Sequence, residues 1–189
     1  NAYGIEIKAN NSLTLAPGVI VKFDTDRGIE AEGIFNAQGN SGKPIIFTSV
    51  HDDEHGGDTD GNGSLLAPSP GDWYYVYVSG TNNASKFNYC EFYYGGGNDS
   101  YDYSLGLESS NIEVTNCTFA NNRGTQDGAL NAVNAGTGTI ITDNVFYSND
   151  IPLAIGGEID IDDSNVFHNP EDNSMINTKN GIFFMEYEG

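Results

Sequence analysis

Three pentapeptides in this chain superpose without gaps: Asn88-Tyr89-Cys90-Glu91-Phe92, Thr115-Asn116-Cys117-Thr118-Phe119 and Thr142-Asp143-Asn144-Val145-Phe146. Their phenylalanines are 27 residues apart, and a fourth copy, Asp163-Ser164-Asn165-Val166-Phe167, follows 21 residues after the third. Strand-like stretches precede them, as in Ile112-Glu113-Val114 and Thr139-Ile140-Ile141. Polar turn residues follow, as in Asn121-Asn122-Arg123-Gly124 and Ser148-Asn149-Asp150. A fixed period in this range marks stacked supersecondary units. No 3.6-residue periodicity accompanies it, which argues against helical repeats. Short strands with Gly/Asn corners predict one coil per repeat. Each strand then pairs with its equivalent one coil away, at a spacing of about 4.8 Å. Equivalent side chains stack, so Phe92, Phe119, Phe146 and Phe167 form an inward aromatic ladder, and Cys90 lies against Cys117 near a corner.

The N-terminal half fits the same scheme with looser phasing. Gly4–Lys8, Ser12–Leu15, Val19–Phe23, Gly28–Ala31 and Pro44–Thr48 read as strands. Val76 and Val78 point one way, with Tyr75 and Tyr77 on the other face. Near the other end, Gly181–Tyr187 reads as a further strand. At roughly 25 residues per coil the chain holds about seven coils in a single domain, 1–189.

A long acidic insertion at 51–72 interrupts this pattern. From His51 to Ser64 it carries five carboxylates (Asp52, Asp53, Glu54, Asp58 and Asp60) with four glycines among them. Like charges this close repel, and a hard cation removes that cost by taking the oxygens as ligands. Asp58, Asp60, Asn62 and Gly63 match the first half of an EF-hand-type calcium loop, Asp-x-Asp-x-Asn-Gly. The second half is missing: Ser69 stands where a bidentate Glu is needed. Other carboxylates must complete the site, and Asp52 and Asp53 are the nearest in sequence. The expectation is a calcium site on Asp52, Asp53, Asp58, Asp60 and Asn62; the competing reading is a solvated acidic loop. His51 and His55 flank the cluster, but oxygen donors outnumber imidazoles, which favours calcium over zinc or copper.

Charge narrows the partners. Seven Lys+Arg stand against 27 Asp+Glu, a formal net charge of −20. Such a surface repels nucleic acid and anionic lipid. No stretch is apolar enough for a membrane span. Two cysteines make neither a disulfide framework nor a zinc site. The chain opens on Asn1-Ala2-Tyr3-Gly4 with no signal peptide, as expected of a processed secreted product or an excised domain.

Leu15-Ala16-Pro17-Gly18-Val19-Ile20-Val21-Lys22-Phe23 resembles an early coil of bacterial secreted right-handed parallel β-helix proteins of the pectate-lyase-like fold. Gly42-Lys43-Pro44-Ile45-Ile46-Phe47-Thr48-Ser49 and Pro70-Gly71-Asp72-Trp73 carry the same resemblance, as does Gly57-Asp58-Thr59-Asp60 between them. The resemblance implies an all-β, right-handed parallel β-helix in an extracellular protein, secreted or on the cell surface. It leaves activity open, because this fold hosts lyases, hydrolases, adhesins and structural modules.

Three functions follow as expectations. The first is a non-catalytic calcium-binding module with a structural, adhesive or glycan-contacting role. Trp73, Tyr75, Tyr77 and Tyr93 are its candidate sugar-stacking residues, with a polysaccharide as partner; ordinary aromatic packing competes with that reading. The second is a calcium-dependent polysaccharide lyase or glycoside hydrolase. Basic residues are few, and the glycosidase pattern of clustered aspartates with Gly-His-Gly and Arg-x-Lys is absent. The alternating Glu158, Asp160 and Asp162 read as a solvated strand face. The third is a subunit that stacks end to end with other copies of itself, because no capping helix is readable at either end.

Overall fold

A computed structural model describes residues 4–63, 65–81, 83–97 and 100–186. The N-terminal Asn1–Tyr3, Ser64 of the acidic loop and the Tyr187 expected in the last strand lie outside the described residues.

The chain winds through three parallel sheets, and no helix occurs among the described residues. The first sheet has seven strands in the order β1 (Gly4–Ile7), β4 (Gly28–Ala31), β7 (Val76–Val78), β10 (Leu105–Leu107), β13 (Leu130–Ala132), β16 (Leu153–Ile155) and β18 (Ile182–Phe184). The second has six: β2 (Ser12–Leu15), β5 (Ile34–Gln38), β8 (Lys86–Asn88), β11 (Glu113–Thr115), β14 (Thr139–Thr142) and β17 (Ile159–Ile161). The third has five: β3 (Ile20–Phe23), β6 (Ile45–Ser49), β9 (Cys90–Tyr93), β12 (Thr118–Ala120) and β15 (Val145–Tyr147). Successive strands go to successive sheets, so every hydrogen-bonded neighbour is one coil away. This is the parallel β-helix expected from the repeat, with seven coils crossing the first sheet.

Register explains which residues each strand needs. In the first sheet Val76, Leu105, Leu130 and Leu153 pair in one inward row and are fully buried. The outward row of the same strands reads Glu30, Tyr77, Gly106, Asn131 and Ala154. In the second sheet Ala37, Phe87, Val114 and Ile141 are paired and buried. β5, like β10, β13 and β16, is a strand the sequence reading did not pick out; in β5 the small Ala37 faces the ring of Phe87, while Phe35 packs edge-on to that ring at 5.5 Å.

The phenylalanine ladder forms as expected and extends one rung further. Phe47, Phe92, Phe119, Phe146 and Phe167 stack in sequence at centroid separations of 4.7, 4.9, 5.1 and 5.3 Å. Such pairs contribute about 0.5–1.5 kcal/mol each beyond the apolar area they bury.

Two sharp corners per coil bound the third sheet. Before it, Tyr89, Asn116 and Asp143 adopt φ of 48°, 54° and 58°; after it, Tyr94, Asn121 and Ser148 adopt 64°, 56° and 55°. Left-handed backbone costs an L-residue about 1–2 kcal/mol, and buried side-chain ladders beside these corners offset it. Asn122, Asn149 and Asn177 form one: each amide donates to a carbonyl of the preceding coil, and each side-chain carbonyl accepts a backbone N–H of that coil, from Gly95, Asn122 and Asn149 in turn. The other corner runs Cys90, Cys117, Asn144, Asn165. The Cys90 N–H donates to Cys117 Sγ, Cys117 N–H to Asn144 Oδ1, and Asn144 N–H to Asn165 Oδ1. The cysteines stack as expected, and both thiols are free and buried.

Candidate metal centre

The acidic segment leaves the solenoid at the end of β6 and returns at β7. It folds back over the third sheet. Lys22 on β3 donates from Nζ to the carbonyls of Asp52 and Gly57, both at 2.7 Å. The His55 ring stacks on Tyr93 of β9 at 5.0 Å and 14°. Gly56, Gly57, Gly61 and Gly63 all take φ between 62° and 79°, the conformation glycine adopts without a Cβ clash.

Within this loop Asp53, Asp58 and Asp60 each bring one carboxylate oxygen within 4.8 Å of the others. Two oxygens on one cation at 2.3–2.6 Å can be at most about 5 Å apart. These three carboxylates therefore fit around a single metal ion. Asp58 and Asp60 are exposed and Asp53 is half-buried.

Local turns pre-shape the cluster. Asp58 accepts the backbone N–H groups of Asn62 and Gly63, both at 3.0 Å, and Asp60 accepts the Asn62 N–H at 3.1 Å. Asn62 also donates its side-chain amide to Asp60, and its carbonyl oxygen accepts the Leu65 N–H at 2.7 Å. His51 Nδ1 lies 2.7 Å from Asp60 Oδ2. That contact, with the bonds from Asn62, holds the Asp60 carboxyl below its ordinary value.

Asp52 does not join the cluster. It is 1% exposed, and both its oxygens are committed. Oδ1 accepts the N–H groups of Glu54 and His55; Oδ2 meets the Thr48 hydroxyl and His55 Nδ1. Burial pushes its pKa up, but the bonds from Thr48 and His55 outweigh it, and the group sits below the ordinary value. Asp52 is the internal anchor of the loop rather than a ligand. Asn62 sits beside the carboxylate oxygens, bonded to Asp58 and Asp60, and its carbonyl oxygen accepts the Leu65 N–H through one of its two lone pairs.

The aromatic residues separate in the same way. Trp73 is fully buried, stacked on Phe23 at 4.4 Å and 16°, with its indole N–H donated to the Tyr93 carbonyl. It is a core residue, not a sugar platform. The alternation that placed it beside Tyr75 begins only at Val76; Trp73 lies in the preceding corner and turns inward. Tyr93 faces outward on the third sheet but is covered by the acidic loop and hydrogen-bonds Glu91, and burial raises its pKa first, then the Glu91 charge. Tyr75 and Tyr77 do lie on the outer face of the first sheet, where Tyr101 and Tyr103 join them at centroid distances of 5.7–6.3 Å. Ile159 and Ile161 pack on the core while Asp160 between them is exposed, the solvated face expected of that strand.

The fold and site together define a parallel β-helix with a pre-shaped carboxylate cluster on one inserted corner. No protein family, curated protein or solved structure matches this chain.

Proposed function

We propose that this chain is an extracellular, non-catalytic β-helix module that binds one calcium ion through Asp53, Asp58 and Asp60 and serves a structural or adhesive role. The observation that carries this reading is the convergence of those three carboxylate oxygens within 4.8 Å, in a loop whose turns already hold two of them in place. Calcium accepts six to eight oxygen ligands with loose geometry, so waters and carbonyls complete the shell. The donor set is all oxygen, which favours a hard cation over zinc or copper. The non-catalytic reading draws on Lys22, a cation against the loop, being engaged as a strut to two carbonyls rather than aimed at the cluster. The extracellular home follows from the resemblance to secreted β-helix proteins and from an environment where calcium is abundant.

The metal binds only the folded loop, so it stabilises by mass action. At a calcium concentration about 100-fold above Kd the gain is about 2.7 kcal/mol, which raises the melting point by roughly 5–11 °C for a chain of this size. Thermal unfolding in excess calcium and then in EDTA tests this. The expected result is a lower midpoint on chelation, with the Asp58→Asn variant insensitive to calcium. An unchanged midpoint in wild type refutes the site.

A further inference from the structure

The outer face of the first sheet carries a groove that the metal reading does not use. It lies where the outward row drops from Tyr77 on β7 to Gly106 on β10 and on to Asn131 on β13. The cavity is about 190 Å³ and is bounded by Tyr77, Tyr101, Tyr103, Glu108, Asp127 and Asn134. We propose that this groove binds a single sugar ring of an uncharged glycan.

The aromatic side comes first. Gly106 is the reason the groove exists: a Cβ built there would fall 2.3 Å from Tyr103 Cε2. Without it, one side of the Tyr103 ring comes down over Gly106 and lines the groove. Tyr77 packs over that ring at 6.3 Å and 30°, and Tyr101 leans against it at 6.1 Å and 56°. Tyr103 is only 6% exposed, whereas Tyr101 is 45% exposed. Tyr101 is therefore the ring that presents a face to a ligand, with Tyr103 and Tyr75 packed against it. A tyrosine face beside polar groups matches a sugar, which is apolar on its C–H faces and polar at its rim.

The polar side sets the class of sugar. Asp127 and Asn134 come from the neighbouring coil, and Glu108 directly follows β10. Asp127 is fixed rather than loose. Its N–H donates to Asp102 Oδ1 at 2.8 Å, and its Oδ2 accepts the Asp102 N–H at 3.1 Å. Its carbonyl accepts the Asn131 amide at 2.9 Å, which ties the bend before β13 to the strand. These groups are hydrogen-bond acceptors and an amide, and they line the same groove as the Tyr101 ring. Two carboxylates line the groove, a third (Asp102) lies behind it, and no Lys or Arg lines it among the described residues. A uronic acid or sulfated sugar would be repelled. A neutral hexose or pentose, donating its hydroxyls to Glu108 and Asp127, is the ligand this chemistry accepts. The volume is below the 300–1,000 Å³ of drug-sized sites, so one ring is seated and the rest of the chain runs along the sheet.

The proposal supplies a ligand for the adhesive role and stands on residues apart from the metal loop. The test is calorimetric titration of the full chain, in excess calcium, with cellohexaose, xylohexaose and mannohexaose, and with hexagalacturonate as the acidic comparator. The expected result is saturable binding of at least one neutral hexasaccharide at micromolar to millimolar concentration and none of hexagalacturonate. Tyr101→Ala, at an exposed ring, should keep the wild-type melting point and weaken binding about tenfold or more. Gly106→Ala, which must lift the Tyr103 ring, should weaken it also. Hexagalacturonate binding as well as the neutral sugars overturns the proposal, as does an unchanged affinity in Tyr101→Ala or no heat from any neutral hexasaccharide. Each outcome is independent of the calcium melting experiment, so failure of one reading is separable from failure of the other.

Discussion

Replacing Asn149 by alanine should destabilise the solenoid more than any surface change. Asn149 is 1% exposed, at the centre of the longer asparagine ladder. Its amide nitrogen donates to the Phe119 carbonyl at 2.8 Å and to Asn177 Oδ1 at 2.9 Å. Its carbonyl accepts both the backbone N–H and the side-chain amide of Asn122, each at 3.0 Å. Alanine removes all four bonds. Some partners keep a second contact: the Asn122 amide still reaches the Phe92 carbonyl, and Asn177 Oδ1 still accepts the backbone N–H at 149. The Asn122 N–H loses its acceptor in a buried corner, and the Phe119 carbonyl loses a donor. An orphaned buried group costs about 1–3 kcal/mol, so with the neighbours' partial compensation the loss should be about 2–4 kcal/mol. That corresponds to a melting point lower by roughly 4–16 °C. Urea unfolding of the two proteins, followed by circular dichroism, measures the difference directly. A loss below about 1 kcal/mol with an unchanged denaturant slope would refute the argument that the ladder bonds hold the corner.

Two further perturbations follow from buried groups around the loop. Asp52→Asn removes an acceptor from a fully used carboxylate, so it should lower stability at neutral pH. The folded carboxyl lies below its ordinary value of 3.8, so its contribution is present above that value and fades as pH falls through the depressed one; urea midpoints of wild type and variant should therefore converge in acid, and a constant gap would contradict the role. Trp73→Ala empties a core site against Phe23 and should cost about 3–5 kcal/mol, read as a drop in urea midpoint; a loss near 1 kcal/mol would place the indole outside the core.

The architecture was legible because the third sheet repeats its aromatic at one register. Phe92, Phe119 and Phe146 announce the period, and a solenoid is the fold that turns a period into a stack. β5 was hidden because Ile34–Gln38 mixes small and amide residues with a single large ring, and its match to β8 lies across the long insertion. The ladder asparagines were read only as turn residues. Their spacing of 27 from Asn122 to Asn149 carries the signal, since a turn that merely faces water has no need of the same side chain at each coil. In the loop, spacing found the motif of Asp58, Asp60 and Asn62 but not the division of labour. Asp52 and Asp53 are adjacent in sequence, yet one is folded under by Thr48 and His55 and the other faces the cluster. Trp73 left the outward aromatic face for a related reason: alternation holds inside a strand and fails in the corner that carries it.

The way the insertion joins the solenoid has a wider consequence. Ile29 on β4 pairs with Val76 on β7 as neatly as Ile5 pairs with Ile29, although one link includes the whole acidic segment and the other a short run. Coil-to-coil registration is thus blind to how much chain a corner contains. The closure entropy of such a corner grows by only about 0.6 kcal/mol for each doubling of its length. A protein built this way can gain, lose or exchange a surface segment at one bend while the aromatic stack beneath it remains in step, so new surface chemistry arrives by insertion rather than by redesign of the interior.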